Sequence, residues 1–368
     1  MTTAVPIQMP RRQSKKPAKK IDKDPIASAK SVGLRYVSDT VPGYARKRSG
    51  KGFSYYAPDG SLCKDKEVLQ RIKSLGIPPA WVKVWICADE KGHLQATGID
   101  SKGRKQYRYH TGWSQIRNTN KYHRIEVFAK QLPALRERLE ADLSGTKLTY
   151  HKVVALAVRI IELTGIRVGN EAYKRMYGSF GLTTLEDDHV EVSLSKATFS
   201  FKGKKGIYHC ISIRNARLAR LIQRCKDVAG KDLFQYYDQD KNTHCISSTD
   251  INAYLHETLG DDFTAKDFRT WMGSLTAFCE FRKIGGFETQ AEAKRNIKLC
   301  IEGVSKRLGN TIAVCKKYYI HPTVIRAYED QKLFQYLKDI DACPDNPLGT
   351  IALSSIEERL CQLLKDYN

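Results

Sequence analysis

The sequence predicts an α+β protein with a small β-rich N-terminal domain and a larger, mainly α-helical domain that holds a small antiparallel sheet. Three patterns predict it. Over residues 31–115, apolar and polar residues alternate with period two between turn residues. After about residue 118, apolar side chains recur at helical spacing, and the alternation with period two returns at 190–213. The length of 368 residues agrees with two domains, because domains average ~150 residues.

Strands and turns dominate the predicted N-terminal domain. The segment YARKRSGKGFSYYAPDGSL at 44–62 predicts a hairpin with turns at SGKG and PDG. The prolines of IPPAW at 77–81 stop any helix. VKVWICADEKGHLQATGID at 82–100 then predicts a strand, a turn at Glu90–Gly92 and a second strand.

Helices dominate the predicted second domain, 118–368. A helix over 121–143 is expected to be interrupted at Pro133, and the next ends at Gly165. Residues 190–213 predict two or three strands with a Gly-Lys-Lys-Gly turn at 203–206. Further helices are predicted over 217–228, 250–260, 268–283, 289–309 and 354–367. The core is expected to reach about residue 330, with a helical extension after it.

The net charge indicates what kind of partner the chain binds. Lys and Arg number 62 against 40 acidic residues, a net charge of +22, which favours a polyanion such as nucleic acid because basic side chains displace counterions from phosphates. An anionic membrane surface is the alternative. Residues 1–30 predict a disordered basic arm. No apolar run suits a membrane span, and the first residues carry no signal-peptide block, so a cytoplasmic location is expected.

The chain lacks the sequence motifs of several common enzyme classes. There is no phosphate-binding GxxxxGK[ST] loop, no HExxH and no GxSxG nucleophile elbow. The ten cysteines are scattered without a CxxC pair, which predicts reduced thiols rather than a zinc site. An enzyme with this composition would rely on Tyr, Arg and Lys side chains.

Four segments in order carry a resemblance to a known family. They are IRVGNE at 166–171, FKGK at 201–204, KDFRTW at 266–271 and LGNTIAVCKKYYIHP at 308–322. Together with IPPAW at 77–81 and GHLQATGIDSKGRKQYRYH at 92–110, they resemble type IB DNA topoisomerases of the small bacterial and poxvirus branch. The resemblance runs from about residue 33 to about residue 330.

The resemblance implies a catalytic set. Tyr319, in a Y-x-x-P context, matches the nucleophile, which would form a covalent 3′-phosphotyrosyl link. Arg167 and Arg269 match the two arginines that clamp the phosphate, for which a guanidinium fork is suited. Lys204 matches the hairpin lysine that acts as general acid, and Asn310 occupies a position where many relatives carry His.

Tyr319 and Lys204 each have a neighbour of the same residue type in the sequence. Tyr318 is the nearest rival to Tyr319 as nucleophile, with packing or DNA contact as its other interpretation. Lys205 stands beside Lys204, and neutralisation of the DNA backbone is its expected role. Lys266 lies three residues before Arg269. Tyrosine recombinases share the catalytic set but usually carry His there, so Lys266 favours the topoisomerase side.

The resemblance also implies DNA contacts in the N-terminal domain. Arg104, Lys105, Tyr107 and Tyr109 lie in GRKQYRYH, a segment expected against the major groove. The alternative is a strand whose tyrosines pack in a small core. The domain 31–115 would then be a DNA clamp that closes with the helical domain around the duplex.

The predicted function is therefore relaxation of supercoiled double-stranded DNA by a clamped monomer, associated with the nucleoid. One strand is cut, swivels and is resealed without ATP or a metal ion, and divalent cations would only speed release. A site-specific tyrosine recombinase and a non-catalytic DNA-binding protein are the alternatives.

Overall fold

The computed structural model describes residues 24–338 and 351–367, except residues 51, 261 and 262 and the side chain at 123. Within it the chain divides into two compact units, an N-terminal unit of residues 1–121 and a C-terminal unit of residues 122–368. Most of the predicted basic arm, residues 1–23, lies outside the described residues. The end of that arm is helical rather than disordered: helix α1 (Pro25–Ser31) begins where the Asp24 carboxylate accepts the N–H of Ile26 at 2.9 Å.

The N-terminal unit contains one five-stranded antiparallel sheet in the order β2-β1-β3-β4-β5. Its strands are β1 (Gly43–Ser49), β2 (Gly52–Tyr56), β3 (Val82–Cys87), β4 (Leu94–Ile99) and β5 (Lys105–Tyr109). The predicted hairpin and the predicted strand pair are both present. Helix α2 (Lys66–Ser74) was not predicted. Asp65 caps it, and Ile72 packs with Val84, Ile86 and Ala96 of the sheet.

The C-terminal unit is mainly helical, which confirms the predicted α+β class. Its helices are α3 (Thr111–Leu143, which begins before the unit does), α4 (Tyr150–Thr164), α5 (Glu171–Tyr177), α6 (Ala216–Lys226), α7 (Ser248–Leu259), α8 (Ala265–Ile284), α9 (Gln290–Leu308), α10 (Ile312–Tyr318), α11 (Pro322–Glu329) and α12 (Ser355–Tyr367). A three-stranded antiparallel sheet holds β6 (Val190–Ser193), β7 (Lys196–Lys202) and β8 (Tyr208–Arg214). A short hairpin joins β9 (Gln235–Tyr237) to β10 (Thr243–Cys245).

Helix α3 does not break at Pro133, so the predicted interruption is wrong. A proline inside a helix removes one backbone hydrogen bond. The helix is retained because Phe128, Leu132, Leu135 and Leu139 are fully buried in the main core, and burying such side chains is worth ~1.5–3 kcal/mol each.

Helix α12 lies in the helical extension expected after about residue 330, and it packs in the core of the unit. Leu360, Leu363 and Leu364 of α12 are fully buried within the same core as helices α4 and α8. The amphipathic spacing of these leucines predicted the helix, but not the surface against which it packs. Among the described helices, none is long and apolar enough to cross a membrane.

Candidate active site

Two helix ends meet at the candidate site. Helices α4 and α9 each end at a glycine in the left-handed conformation, Gly165 with φ +64° and Gly309 with φ +57°, a common helix terminator because glycine has no Cβ. Arg269 of α8 donates hydrogen bonds to the carbonyl oxygens of Gly165 and Leu308. A buried guanidinium thus joins two carbonyl-rich helix ends, which carry partial negative charge.

The chain beyond these two glycines brings Arg167 and Asn310 into contact. Arg167 Nη2 donates to Asn310 Oδ1 at 2.5 Å and to the carbonyl oxygen of Gly309 at 3.3 Å. Ser305 Oγ donates to the Asn310 carbonyl oxygen at 2.6 Å and holds the loop. Since Oδ1 is taken by Arg167, the Asn310 Nδ2 group remains as a donor, and it has no partner among the described residues.

The site is strongly cationic. Burial, and then the charge of Arg269, lower the pKa of Arg167 to about 10. Arg167 is still protonated at neutral pH, but holding the half-buried Arg167 beside the buried Arg269 is unfavourable until an anion joins them. None of the described residues that line the small cavity beside both arginines is acidic. The site therefore suits an anionic ligand with several oxygen atoms, such as a phosphodiester.

Tyr319 lies beside the arginines. Its ring centroid is 5.1 Å from Cζ of Arg269, and its charge interaction with Arg167 favours the protonated form of that arginine. The residue ends helix α10, where its N–H donates to the Cys315 carbonyl at 3.0 Å. Tyr318 is exposed, and Lys317 Nζ lies 5.2 Å from the centroid of the Tyr318 ring.

Helix α8 holds the backbone around Tyr319 at short range. The His321 N–H donates to Ser274 Oγ at 2.9 Å, and Ser274 Oγ donates to the Thr270 carbonyl at 2.9 Å. A Cβ atom on Gly273 would lie 2.5 Å from the Tyr319 carbonyl oxygen and 3.1 Å from its Cβ. Only glycine permits this approach.

Gly273→Ala is therefore expected to displace Tyr319 while leaving DNA binding in place. A misplacement of ~1 Å can cost ~100-fold in rate, so single-turnover DNA cleavage should fall by about that factor. Gly286→Ala is the matched control, because nothing lies within 4 Å of the added Cβ and φ is ordinary. Equal cleavage rates in the two variants would show that the close approach of α8 does not position Tyr319.

Lys204 lies in the turn between β7 and β8, and its side chain is exposed. The turn closes where the Gly203 N–H donates to the Ile207 carbonyl oxygen at 2.7 Å. Gly203 lines the cavity beside Arg167 and Arg269, whereas Lys204 is not among the lining residues. Lys205 takes the left-handed conformation, with φ +64°, and is also exposed. The structure thus brings the base of this turn to the arginines and leaves both lysine side chains on the surface.

The predicted DNA-contact residues of the N-terminal unit lie at the edge of its sheet. Tyr107 and Tyr109 of β5 are 46% and 47% exposed, and their stacked rings are 5.9 Å apart. They therefore do not form a small core, which was the alternative. Lys105 Nζ contacts Asp39 at 2.6 Å, and Arg104 pairs with Asp100 at 2.6 Å. Both basic groups are partly neutralised in the structure.

Lys266 occupies the first turn of α8 and is exposed, one helical turn before Arg269. Residues that contact this site but were not predicted include Gly273 and Ser274 of α8, His209 of β8 and Arg307 of α9. The small residues Gly273 and Ser274 inside the helical pattern TWMGSL indicate close packing, so the sequence could have predicted them. His209 carried no such signal.

Comparisons with known proteins identify relatives of this chain. Residues 110–343 match the family model for the catalytic core of eukaryotic DNA topoisomerase I, and residues 52–100 match the N-terminal domain of bacterial DNA topoisomerase IB. The chain is 33% identical over 302 residues to a DNA topoisomerase 1B of Acanthamoeba polyphaga mimivirus, covering 80% of this chain and 90% of that protein. It is 24% identical over 275 residues to a DNA topoisomerase 1B of Vaccinia virus, covering 72% and 82%.

The chain belongs to the type IB DNA topoisomerase family, a class of isomerases that act on DNA. The bacterial N-terminal match and the viral relatives agree with the branch that the sequence motifs predicted.

Proposed function

We propose that the chain relaxes supercoiled duplex DNA through a transient 3′-phosphotyrosyl link at Tyr319. The observation that carries this proposal is the grouping of Tyr319, Arg269, Arg167 and Asn310: the Tyr319 ring lies 5.1 Å from the Arg269 guanidinium, and Arg167 is bonded to Asn310. A nucleophile beside two guanidinium groups is what attack on a phosphodiester needs, since positive donors stabilise the charge that develops on the phosphate oxygens.

In the proposed cleavage step, one phosphorus–oxygen bond replaces another. The Tyr319 oxygen forms a bond to phosphorus, the bond from phosphorus to the 5′ oxygen breaks, and the phenolic proton passes to solvent. Arg167, Arg269 and the Asn310 Nδ2 group hold the non-bridging oxygens. Lys204 gives its proton to the departing 5′ oxygen and recovers one from solvent. Religation is the reverse, so the phosphotyrosine conserves the bond energy and neither ATP nor a metal ion takes part.

The remaining parts of the proposal concern how DNA is held. The exposed Tyr107 and Tyr109, with Arg104 and Lys105, would contact the duplex from the N-terminal unit, which acts as a clamp domain. Lys205 and Lys266 would neutralise backbone phosphates beside the cleavage site. We propose that the chain acts on DNA as a monomer, because the catalytic set lies within one chain. We also propose that it is located at the nucleoid, where duplex DNA is found.

Plasmid relaxation in EDTA without ATP tests this function. The purified chain should convert supercoiled plasmid to a ladder of relaxed topoisomers, and rapid denaturation should trap protein on the 3′ side of a nick. Intact DNA binding without relaxation would favour a non-catalytic DNA-binding protein. Exchange between two defined sites, with oligomers on DNA, would favour a recombinase.

Lys204→Ala is expected to slow cleavage of ordinary DNA by about 10²- to 10⁴-fold, the usual contribution of a general acid. A substrate with sulfur in place of the 5′ bridging oxygen should restore most of the rate, because a thiolate departs without a proton. The measurement is the ratio of single-turnover rates on the two substrates.

Lys205→Ala serves as the neighbouring comparison. It removes the same charge from the same turn, so it should weaken DNA binding, yet it should show no preferential rescue by the sulfur substrate. If Lys204→Ala were slow on both substrates to the same degree, the general acid would be another group.

A further inference from the structure

We infer that His209 is a positioning residue that fits the turn bearing Lys204 against the loop bearing Asn310. The inference rests on the proposed function, since it assigns how two proposed catalytic groups are held in register. His209 belongs to β8, five residues after Lys204.

The imidazole of His209 fills the gap between two glycines from distant parts of the chain. A Cβ atom on Gly203 would lie 2.6 Å from Cδ2 and 2.7 Å from Nε2 of this ring. A Cβ on Gly309 would collide with Cε1 and lie 3.1 Å from both ring nitrogens. Gly203 precedes Lys204, and Gly309 precedes Asn310. The same ring therefore touches the backbone next to each proposed catalytic residue.

The other contacts of His209 hold the ring in place. It stacks on Phe201 of the neighbouring strand, with centroids 5.2 Å apart and planes 19° from parallel. It also lines the cavity that Arg167 and Arg269 share. A ring that is packed on one face and lies between two backbone segments has few alternative positions. It therefore fixes the position of the turn at Gly203 relative to the loop at Gly309.

The charge state of the ring suits this role. Burial, followed by the charges of Arg167 and Arg269, lowers the pKa of His209 below its usual value near 6.5. The ring is therefore neutral near pH 7 and adds no further positive charge beside the arginines. It contributes shape, while the arginines contribute the charge.

The exposed position of the turn at 203–206 explains why the His209 ring is needed to align Lys204. Lys204 and Lys205 are exposed, and Lys205 takes the left-handed conformation that non-glycine residues rarely adopt. Gly203, at the base of the turn, contacts His209 and lines the cavity beside Arg167 and Arg269. Removing the ring would leave Lys204 attached to the protein by its strands but not aligned with the site.

His209→Ala tests the inference through the ratio of two rates. Single-turnover cleavage of ordinary DNA should slow by about 10- to 100-fold, a typical cost of misplacing a catalytic group by ~1 Å. The substrate with a 5′ bridging sulfur should recover most of that loss, as is expected for Lys204→Ala. Because both rates come from the same preparation, their ratio does not depend on the fraction of protein that is folded.

Two further variants sharpen the test. Gly203→Ala should show the same rescue, because its Cβ meets His209, and the addition of Gly203→Ala to His209→Ala should cause little further loss, since the collision partner is gone. His256→Ala, an exposed histidine of α7, should match the unaltered protein on both substrates.

The rates of Lys204→Ala and His209→Ala distinguish the role of His209 from the proposed function. If Lys204→Ala is rescued by sulfur but His209→Ala is slowed equally on both substrates, or not at all, the role of His209 is wrong and the proposed function stands. If Lys204→Ala itself is not rescued, the proposed acid is wrong, and the role assigned to His209 is wrong with it.

Discussion

Tyr319→Phe should abolish DNA relaxation and leave DNA binding intact. The change removes only the oxygen that bonds to phosphorus, and the ring keeps its place 5.1 Å from the Arg269 guanidinium. Loss of a nucleophile that works within a preformed site costs more than ~10⁴-fold. Relaxation of a supercoiled plasmid should therefore fall below detection, and no protein should remain attached to nicked DNA after denaturation.

Tyr318→Phe is the matched control because it removes the same oxygen one residue earlier. Tyr318 is exposed, and the hydrogen bonds that hold the segment to α8 involve His321 and Ser274 instead. Relaxation by Tyr318→Phe should be close to that of the unaltered chain. Activity in Tyr319→Phe, with loss in Tyr318→Phe, would move the nucleophile to Tyr318.

The second large effect is on stability, at a buried cluster of charges that holds the C-terminal helix. Arg136 of α3 is fully buried and donates to Glu162 at 2.6 Å, to Glu357 at 2.8 Å and to the carbonyl oxygen of Ala352 at 2.9 Å. Trp271 Nε1 donates to the same Glu357 carboxylate at 3.3 Å. Glu357 therefore joins α12 to α8, the helix that carries Arg269.

Glu357→Gln is expected to lower the free energy of unfolding by about 3 kcal/mol, because the buried Arg136 charge loses one of its two carboxylate partners and keeps only Glu162. Burial alone would lower the pKa of Arg136, but Glu162 and Glu357 raise it above its usual value. Because Glu162 stays beside it, the arginine remains charged when Glu357 is lost. The measurement is the midpoint of urea unfolding, with the slope unchanged.

Glu358→Gln provides the comparison within the same helix. Glu358 is exposed beside the fully buried Glu357, and surface charges of this kind contribute less than ~1 kcal/mol. Equal midpoints for the two variants would mean that the buried cluster does not hold α12 to the core.

Local patterns predicted most of the elements, because helix and strand periodicity depends on which side chains face the core. The β1–β2 hairpin and the β6–β8 sheet follow from alternation and turn residues. The failures came where packing overrides local preference. Helix α3 continues through Pro133 because the residues around it are buried, and α2 forms where only turns and strands were expected.

Motif order identified the family and the candidate catalytic residues, since each motif is a local string of residue types. No local pattern says which groups touch. The hydrogen bond from Arg167 to Asn310 joins residues 143 positions apart, and the contact of His209 with Gly309 joins residues 100 positions apart.

The sequence by itself determined the fold class, the family and the residue types available for chemistry, because periodicity, composition and motif order are properties of neighbouring residues. Only the tertiary structure decided that Arg269 joins the ends of α4 and α9, that Gly273 admits the backbone of Tyr319, and that α12 belongs to the core. These contacts depend on where distant helix ends meet, which is set by the packing of the whole unit.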